Sequence, residues 1–231
     1  MRNIKAVFIK QVLSYIKNPA MYGTPITFLL LPLAFRIFIP EIQPELIVTQ
    51  FLVMFVGISM IGASAGFLAE DRVTMNLRFM GMSGVKPYQY LIGTCGTLLV
   101  VSFIAITLFG LIGQHSGQAL INFITVSMLG AASSMLLGIT LGLSKFADFT
   151  MIIALLLGVG PVFADANETL EQIFYFTYTM QVNNAVQGYL NVNPIGSIQI
   201  ILINMTVLLI AFIVMNMKNG LDGEKIVKKM A

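Results

Sequence analysis

Charge is scarce in this sequence. Of its 231 residues only 10% are Asp, Glu, Lys or Arg, against roughly 25% in an ordinary soluble domain. So few charges cannot coat a water-facing surface, and with 57% hydrophobic residues most of that surface is expected to face lipid. No soluble block of domain size remains between the apolar runs, so residues 1–231 read as one membrane domain. Cysteine is nearly absent as well. Cys95 stands alone, which excludes an intramolecular disulfide and argues against a thiolate metal cluster; in an apolar run it reads as a small buried hydrophobe. No His, Cys or carboxylate cluster has metal-ligand spacing, and no Ser/His/Asp set suggests hydrolysis within the membrane, so no catalytic, cofactor or metal residues are assigned. The first apolar run follows an extended basic segment and lacks a small-residue cleavage site, so it does not read as a signal peptide.

What is present is a series of apolar runs. A membrane-spanning helix needs about 20 mostly apolar residues, and runs of that kind occur at 22–39, 47–69, 90–113, 119–143, 149–164 and 195–217. The stretch 165–194 is ambiguous: it holds the aromatic patch Phe174, Tyr175, Phe176 and Tyr178 but also Asp165, Glu168, Glu171, Asn183 and Asn184. Basic residues settle the count, because cytoplasmic segments collect Lys and Arg. Twelve of the thirteen basic residues fall before the first run, in the second-to-third loop, at Lys145, or in the tail 218–231. The opposite loops carry Glu41, Glu45, Asp165, Glu168 and Glu171 with no Lys or Arg. Six spans satisfy this sorting; seven would export the Lys-rich tail. The expected fold is therefore an all-α membrane protein with six transmembrane helices and both termini in the cytoplasm. The segment 165–194 becomes an external re-entrant segment before the sixth span, tolerated at depth only against protein or a water-filled cavity.

Residues 1–20 hold an amphipathic segment. At 100° per residue, Asn3, Lys10, Ser14 and Lys17 share one sector, and Ile4, Phe8, Val12, Tyr15 and Ile16 lie opposite. That pattern suits a helix lying in the cytoplasmic interface, with Pro19 breaking it from the first span. The loop 70–88 is the most polar cytoplasmic stretch. Glu70 and Asp71 sit where a helix N-terminus favours acidic charge, and Gly81 and Gly84 are placed to end that helix. Leu77, Phe79 and Met80 lie between basic residues: exposed apolar side chains there fit either a docking surface for another protein or contact with lipid. Gly130, Ser134, Gly138 and Gly142 recur every four residues in the fourth span, as Gly62 and Gly66 do in the second. Such stripes let helices approach closely, here most simply within the chain's own bundle. Arg36 is the one basic residue deep in a span. It either snorkels to the headgroups or pairs with Glu41, or it lines an outer exit and meets cargo. The 15 methionines suit a pliable lining or simple filling among helices. His115, in a tight external turn, is expected to be solvated.

The order of these elements resembles the permease subunit of type-2 ABC exporters, a family that moves drugs, peptides, polysaccharides and lipids outward. The likeness covers nearly the whole chain and is sharpest in "NLRFMGMSGVKPYQYLIG", similar to the family's "LR…S-P-V/I…Y/L-L-G" run into the third span. Two departures stand in it: Gly84 where the family often has Pro, and Thr94 where a Lys often follows the Gly. The resemblance implies that Arg72–Gly81 forms a coupling helix seated in a cleft of an ATPase subunit, with Glu70, Asp71, Arg72, Thr74, Asn76, Leu77, Arg78, Phe79, Met80 and Gly81 as the coupling residues. It also implies that the first and fifth spans face a partner permease. Absence agrees with it: a P-loop needs G-x-x-x-x-G-K-[ST], and no Gly-Lys pair occurs. ATP and Mg would then be bound by two copies of a separate ATPase.

The sequence is thus read as the membrane-spanning subunit of an ATP-driven exporter in the cytoplasmic membrane of a bacterium. It would pair with an identical or homologous second permease and move an amphiphile such as a hydrophobic drug, antimicrobial peptide or peptide toxin. A polysaccharide or lipid exporter, and a non-transporting immunity or membrane-assembly factor, remain as alternatives. A secondary carrier fits less well, since carriers place ionisable residues near the bilayer midplane and these spans hold none there. Nucleic acid is not an expected partner.

Overall fold

Apolar runs punctuated by proline and glycine favour long helices, and helices are what this chain forms. The computed structural model describes residues 2–39, 41, 43–144, 147–164, 167–188 and 195–219. The α-helices among them are α1 (Arg2–Lys17), α2 (Pro19–Phe38), α3 (Pro44–Met54), α4 (Met60–Val73), α5 (Asn76–Met82), α6 (Pro87–Ile112), α7 (Gly117–Leu143), α8 (Thr150–Ala164), α9 (Glu168–Phe174), α10 (Tyr178–Gly188) and α11 (Ile195–Asn219). A π-helical segment, Phe55–Ser59, joins α3 to α4, and the three make one continuous rod of 30 residues. Five stretches are individually long and apolar enough to cross a membrane: Pro44–Val73, Tyr88–Ile112, Gly117–Leu143, Ala147–Ala164 and Ile195–Met217. The chain is a membrane-embedded protein. The run at 22–39 falls on α2, which qualifies only together with α1, across a bend of 64°. Lys145, Asp165, 189–194 and the tail from 220 onward lie outside the described residues.

Small residues set the helix spacing. Along α7, a Cβ on Gly138 would collide with Ser64 and the Ile61 carbonyl of α4, and one on Gly142 would press on Leu68. Gly130 makes room for Val182 of α10 and Val56 of the π segment. The stripe from Gly130 to Gly142 therefore packs this chain's own bundle, where close backbone approach replaces a hydrophobic driving force. Gly57 meets the backbone of Gly158 in α8 so closely that a Cβ on Gly57 would overlap it. Around these contacts Leu52, Phe55, Met60, Phe67, Leu98, Ile106, Phe109, Phe123 and Met135 fill the core, with the Phe55 and Phe109 rings 5.5 Å apart. Gly62 behaves differently: a Cβ there would touch nothing within 4 Å. Half of the expected second-span stripe opens on space.

α9 and α10 are joined by a tight turn, with α10 buried among the long helices and α9, which has no buried residue, on the outside of α8. Asn167 caps α9 by accepting from the Thr169 and Leu170 amides at 2.9 and 3.3 Å, the usual role of an Asn at this position. α9 then runs beside α8, where Gly160 accommodates the Phe174 ring. The turn at Tyr175–Thr177 is held by Gln181, whose side-chain amide donates to the Tyr175 carbonyl, and by Asn204 of α11, which donates to the Phe176 carbonyl at 2.9 Å. Ser134 donates to the Tyr178 hydroxyl at 2.9 Å. The turn and its flanks thus touch α7 at Ser134, α8 at Gly160 and α11 at Asn204. From there Met180, Val182, Ala185 and Val186 are buried as α10 returns.

The packing adds detail to α1 and corrects the expectation for His115. α1 lies along α6, where Gly93 accommodates Val7 and Phe8 and the Thr97 hydroxyl reaches the Phe8 carbonyl at 3.4 Å. The covered side is Val7 and Gln11, with Phe8 and Tyr15 flanking them, while Ile9, Leu13 and Ile16 are exposed. Ile16 stays exposed on the apolar side of α1, and Lys10 is paired with Asp71. His115 is not solvated. It retains 9% exposure, its ring stands 4.8 Å from that of Phe123, and its Nε2 has no hydrogen-bond partner among the described residues. Burial pushes this imidazole below its usual range, against an opposing pull from the Glu45 charge.

Candidate functional site

The most polar buried cluster gathers where α1, α4, α5 and α6 meet, around Asp71. Its side chain is 0% exposed. It sits in the last turn of α4, not at a helix N-terminus as the sequence suggested, because the rod that begins at Pro44 continues unbroken to Val73. An acidic group at a helix C-terminus is opposed by the macrodipole, and a buried charge needs a partner and hydrogen bonds. Both are supplied from other elements. Lys10 of α1 forms an ion pair with Oδ1, the one ion pair among the described residues. The Gln11 side-chain amide donates to Oδ2 at 2.8 Å, the Tyr90 hydroxyl of α6 donates to Oδ2 at 3.0 Å, and Asn76 of α5 donates to Oδ1 at 3.3 Å. Gln11 also donates to Thr94 at 3.2 Å. A single carboxylate thereby ties the end of one long rod to three other helices. Nearby, Asn3 reaches across to the Gln89 side chain at 3.3 Å.

α5 is shorter than the expected Arg72–Gly81 helix. α4 runs to Val73, and the chain breaks at Thr74 and Met75, the latter in the left-handed region at φ 56°. α5 then begins at Asn76 and ends at Met82. Gly81 lies within the helix and does not end it. Gly84 does: at φ 74° it sits one residue past the cap, and the Val85 amide donates to the Met80 carbonyl at 2.9 Å, the six-to-one bond of a Schellman ending. Proline, fixed near −65°, could not adopt this positive φ.

The expected coupling residues divide by what they touch. Asp71, Asn76 and Leu77 face inward; Leu77 is 8% exposed and packs with Val7, Leu68, Tyr90, Ile139, Leu143 and Phe212. Met80 leans on the same cluster. Phe79, at 59% exposure, points away with Val73, Met75 and Met82. Thr74 is occupied locally, its hydroxyl donating to the Glu70 carbonyl at 2.7 Å. One oxygen of the Glu70 carboxylate, Oε2, is buried with no partner among the described residues. Arg78 and Gly81 lie on α5 by their backbone, and their side chains are outside the described set.

Arg72 leaves this group altogether. Its guanidinium donates to the Gly142 carbonyl at 2.6 Å, closing the C-terminal turn of α7, where positive charge is favoured. Arg36 does the same at the other end of the molecule, donating to the Ile112 carbonyl of α6 at 3.2 Å. It thereby joins α2 to the end of α6 and makes no ion pair with Glu41. Nothing in the sequence reading joined Lys10, Gln11, Tyr90 and Thr94 into one site. The available signals were a lone glutamine beside apolar Val12 and Phe8 on α1, and Tyr90 and Thr94 at a four-residue spacing on one face of α6. Compared with protein-family models, with curated proteins and with solved structures, the chain matches none.

Proposed function

We propose that this chain is the membrane-spanning permease subunit of an ATP-driven exporter of the type-2 ABC kind, working as one of two permeases over two ATPase subunits that hold ATP and Mg. In this reading α2, the rod from α3 through α4, and α6, α7, α8 and α11 are the six spans. α1 lies in the cytoplasmic interface, both termini are cytoplasmic, and the α9–α10 hairpin re-enters from outside. The membrane is a bacterial cytoplasmic membrane, and the cargo is an amphiphile such as a hydrophobic drug or peptide.

The observation that carries the reading is the pairing of an exposed apolar face on α5 with a buried polar junction directly behind it. Phe79 and Met82 offer a surface for a partner, and Asn76 binds the Asp71 carboxylate that Lys10, Gln11 and Tyr90 also hold. A displacement of α5 is thereby passed to α1, α4 and α6 together. That is the linkage a transporter needs between a cytosolic motor and its spans, provided the two conformations differ in their affinity for nucleotide or cargo.

The test is to co-express the chain with candidate ABC ATPase subunits from its own genome, purify the complex and measure hydrolysis. Because Leu77 is buried, the informative change is Phe79→Asp with Met82→Asp. It is expected to reduce recovery of the ATPase by about tenfold or more, as loss of a central apolar anchor does, while the chain itself stays folded. Recovery and hydrolysis equal to the unaltered complex would overturn the docking role of α5.

A further inference from the structure

One turn of the long rod is not α-helical. Phe55–Ser59 is π-helical, with the Met60 amide donating to the Phe55 carbonyl five residues back, so this stretch holds one residue more than an α-helix of equal length. Single turns of this kind recur at functional positions. All five residues are buried, with Gly57 against α8, Val56 against α7 and Phe55 against α6. The extra residue leaves a hydroxyl unpaired. Thr49 and Ser64, on the α-helical turns either side, donate to the Glu45 and Met60 carbonyls four residues back, at 2.8 Å each, a common bond for a hydroxyl on a helix. Ser59 lies between them, yet its hydroxyl is buried with no partner among the described residues. The carbonyl four residues behind it is that of Phe55, which the π turn directs to Met60.

Closing the π turn to α would restore that bond and advance every residue of α4 by one place, about 100° and 1.5 Å. Three features of α4 suit this movement. Glu70 would take the place of Asp71, so a carboxylate would still face Lys10, Gln11 and Tyr90; one oxygen of Glu70 is now buried with no partner among the described residues. Ile61 would enter the place of Gly62, where a Cβ meets nothing within 4 Å. Residues 62–66 run Gly-Ala-Ser-Ala-Gly, so small side chains would still face α7 and the close spacing would be kept. Two contacts oppose it: Phe67 would leave Tyr15, whose ring is 6.2 Å away, and Arg72 would leave the Gly142 carbonyl. The π form is therefore the resting one. We infer that Phe55–Ser59 is a register switch, through which α4 turns by one residue about its own axis, carries α5 with it and exchanges Asp71 for Glu70 at Lys10. The inference concerns the single chain and does not rest on the export reading.

The test is disulfide trapping in the purified full chain, carrying Cys95→Ala, in phosphatidylcholine nanodiscs with copper–phenanthroline as oxidant and mass spectrometry as readout. A Cβ on Gly142 stands 3.7 Å from that of Leu68, inside the disulfide range of about 3.5–4.5 Å. Leu68→Cys with Gly142→Cys therefore traps the resting form. Phe67→Cys with Gly142→Cys is about 100° out of line and closes only when α4 has turned. This second pair is expected to cross-link about tenfold or more slowly than the first, as a minor state does. Deleting Gly57 removes the extra residue; it should leave the first cross-link in place and abolish the second. Ser59→Ala, which takes away the bond gained on turning, should slow the second pair about fivefold, and Asp71→Asn, which leaves Glu70 as the one acid for Lys10, should speed it about tenfold. A second pair that never closes, or that closes as fast without Gly57, would overturn the inference. If the chain lacking Gly57 does not fold, seen as loss of the first cross-link, Ser59→Ala decides: an unchanged rate for the second pair overturns the switch.

Discussion

Asp71 concentrates more of the polar chemistry of this chain than any other described residue. Removing the cation leaves a buried carboxylate held only by neutral donors; with Lys10 31% exposed the loss, about 1–3 kcal/mol, falls below that of a fully buried pair. Lys10→Met is expected to destabilise the chain by that amount, and Lys10→Arg by less, since a cation remains in reach. Thermal unfolding in detergent reads both, and equal midpoints for the Met variant and the unaltered chain would remove the junction from the account. His115 predicts a pH effect of definite sign. Its folded imidazole is held below the ordinary value of 6.5 by burial, so the unfolded chain takes up its proton first as pH falls. The stability it contributes is complete above pH 6.5 and declines as pH falls from there through the lower folded value. The difference in stability between the unaltered chain and His115→Gln should therefore change between pH 7.5 and 5, by about the shift in proton uptake. A constant difference over that interval would contradict the burial of this ring.

Among the elements, α5 shows how much of the candidate site was legible. The quoted run promises a short helix with apolar side chains, and one forms. Its facing could also have been read: Leu77 and Phe79 are two residues apart, about 200° around a helix, so they cannot share a surface. Phe79 and Met82, three apart, can. The prediction is a contrast in stability. Leu77→Asp buries a charge among apolar side chains and should cost several kcal/mol, whereas Phe79→Asp should fall within about 0.5 kcal/mol of the unaltered chain, as exposed positions do. Similar losses for both would place α5 differently. What the sequence could not reveal is where α4 ends. Glu70 and Asp71 look like the start of a helix by local electrostatics, and only the distant Lys10 and Gln11 make an acid acceptable at a C-terminal turn. The side of α1 that packs on protein is likewise set by Gly93 and Asp71 on other helices.

For the whole molecule, apolar runs alone locate the long helices, since length and hydropathy decide membrane crossing with little help from tertiary contacts. The stripe of Gly130, Ser134, Gly138 and Gly142 likewise pointed to close packing inside the bundle. The α9–α10 hairpin was legible only as an ambiguity, because Thr179, Gln181 and Asn183 make α10 look soluble although it is buried. Its polar side chains bond within the hairpin, Thr179 to Thr177, Gln181 to the Tyr175 carbonyl and Asn183 to Gln187, while Ser134 and Asn204 of distant helices hold Tyr178 and the turn. In the proposed orientation this hairpin and the Asp71 junction lie on opposite sides of one bilayer, with the junction and α5 in the cytoplasm. Labelling of single cysteines at Ser83 and Thr169, both exposed, tests this in a Cys95→Ala background with a membrane-impermeant maleimide. Thr169→Cys should react in intact cells and Ser83→Cys only after lysis. Reaction of Ser83→Cys in intact cells would contradict the orientation, and with it a cytosolic motor at α5.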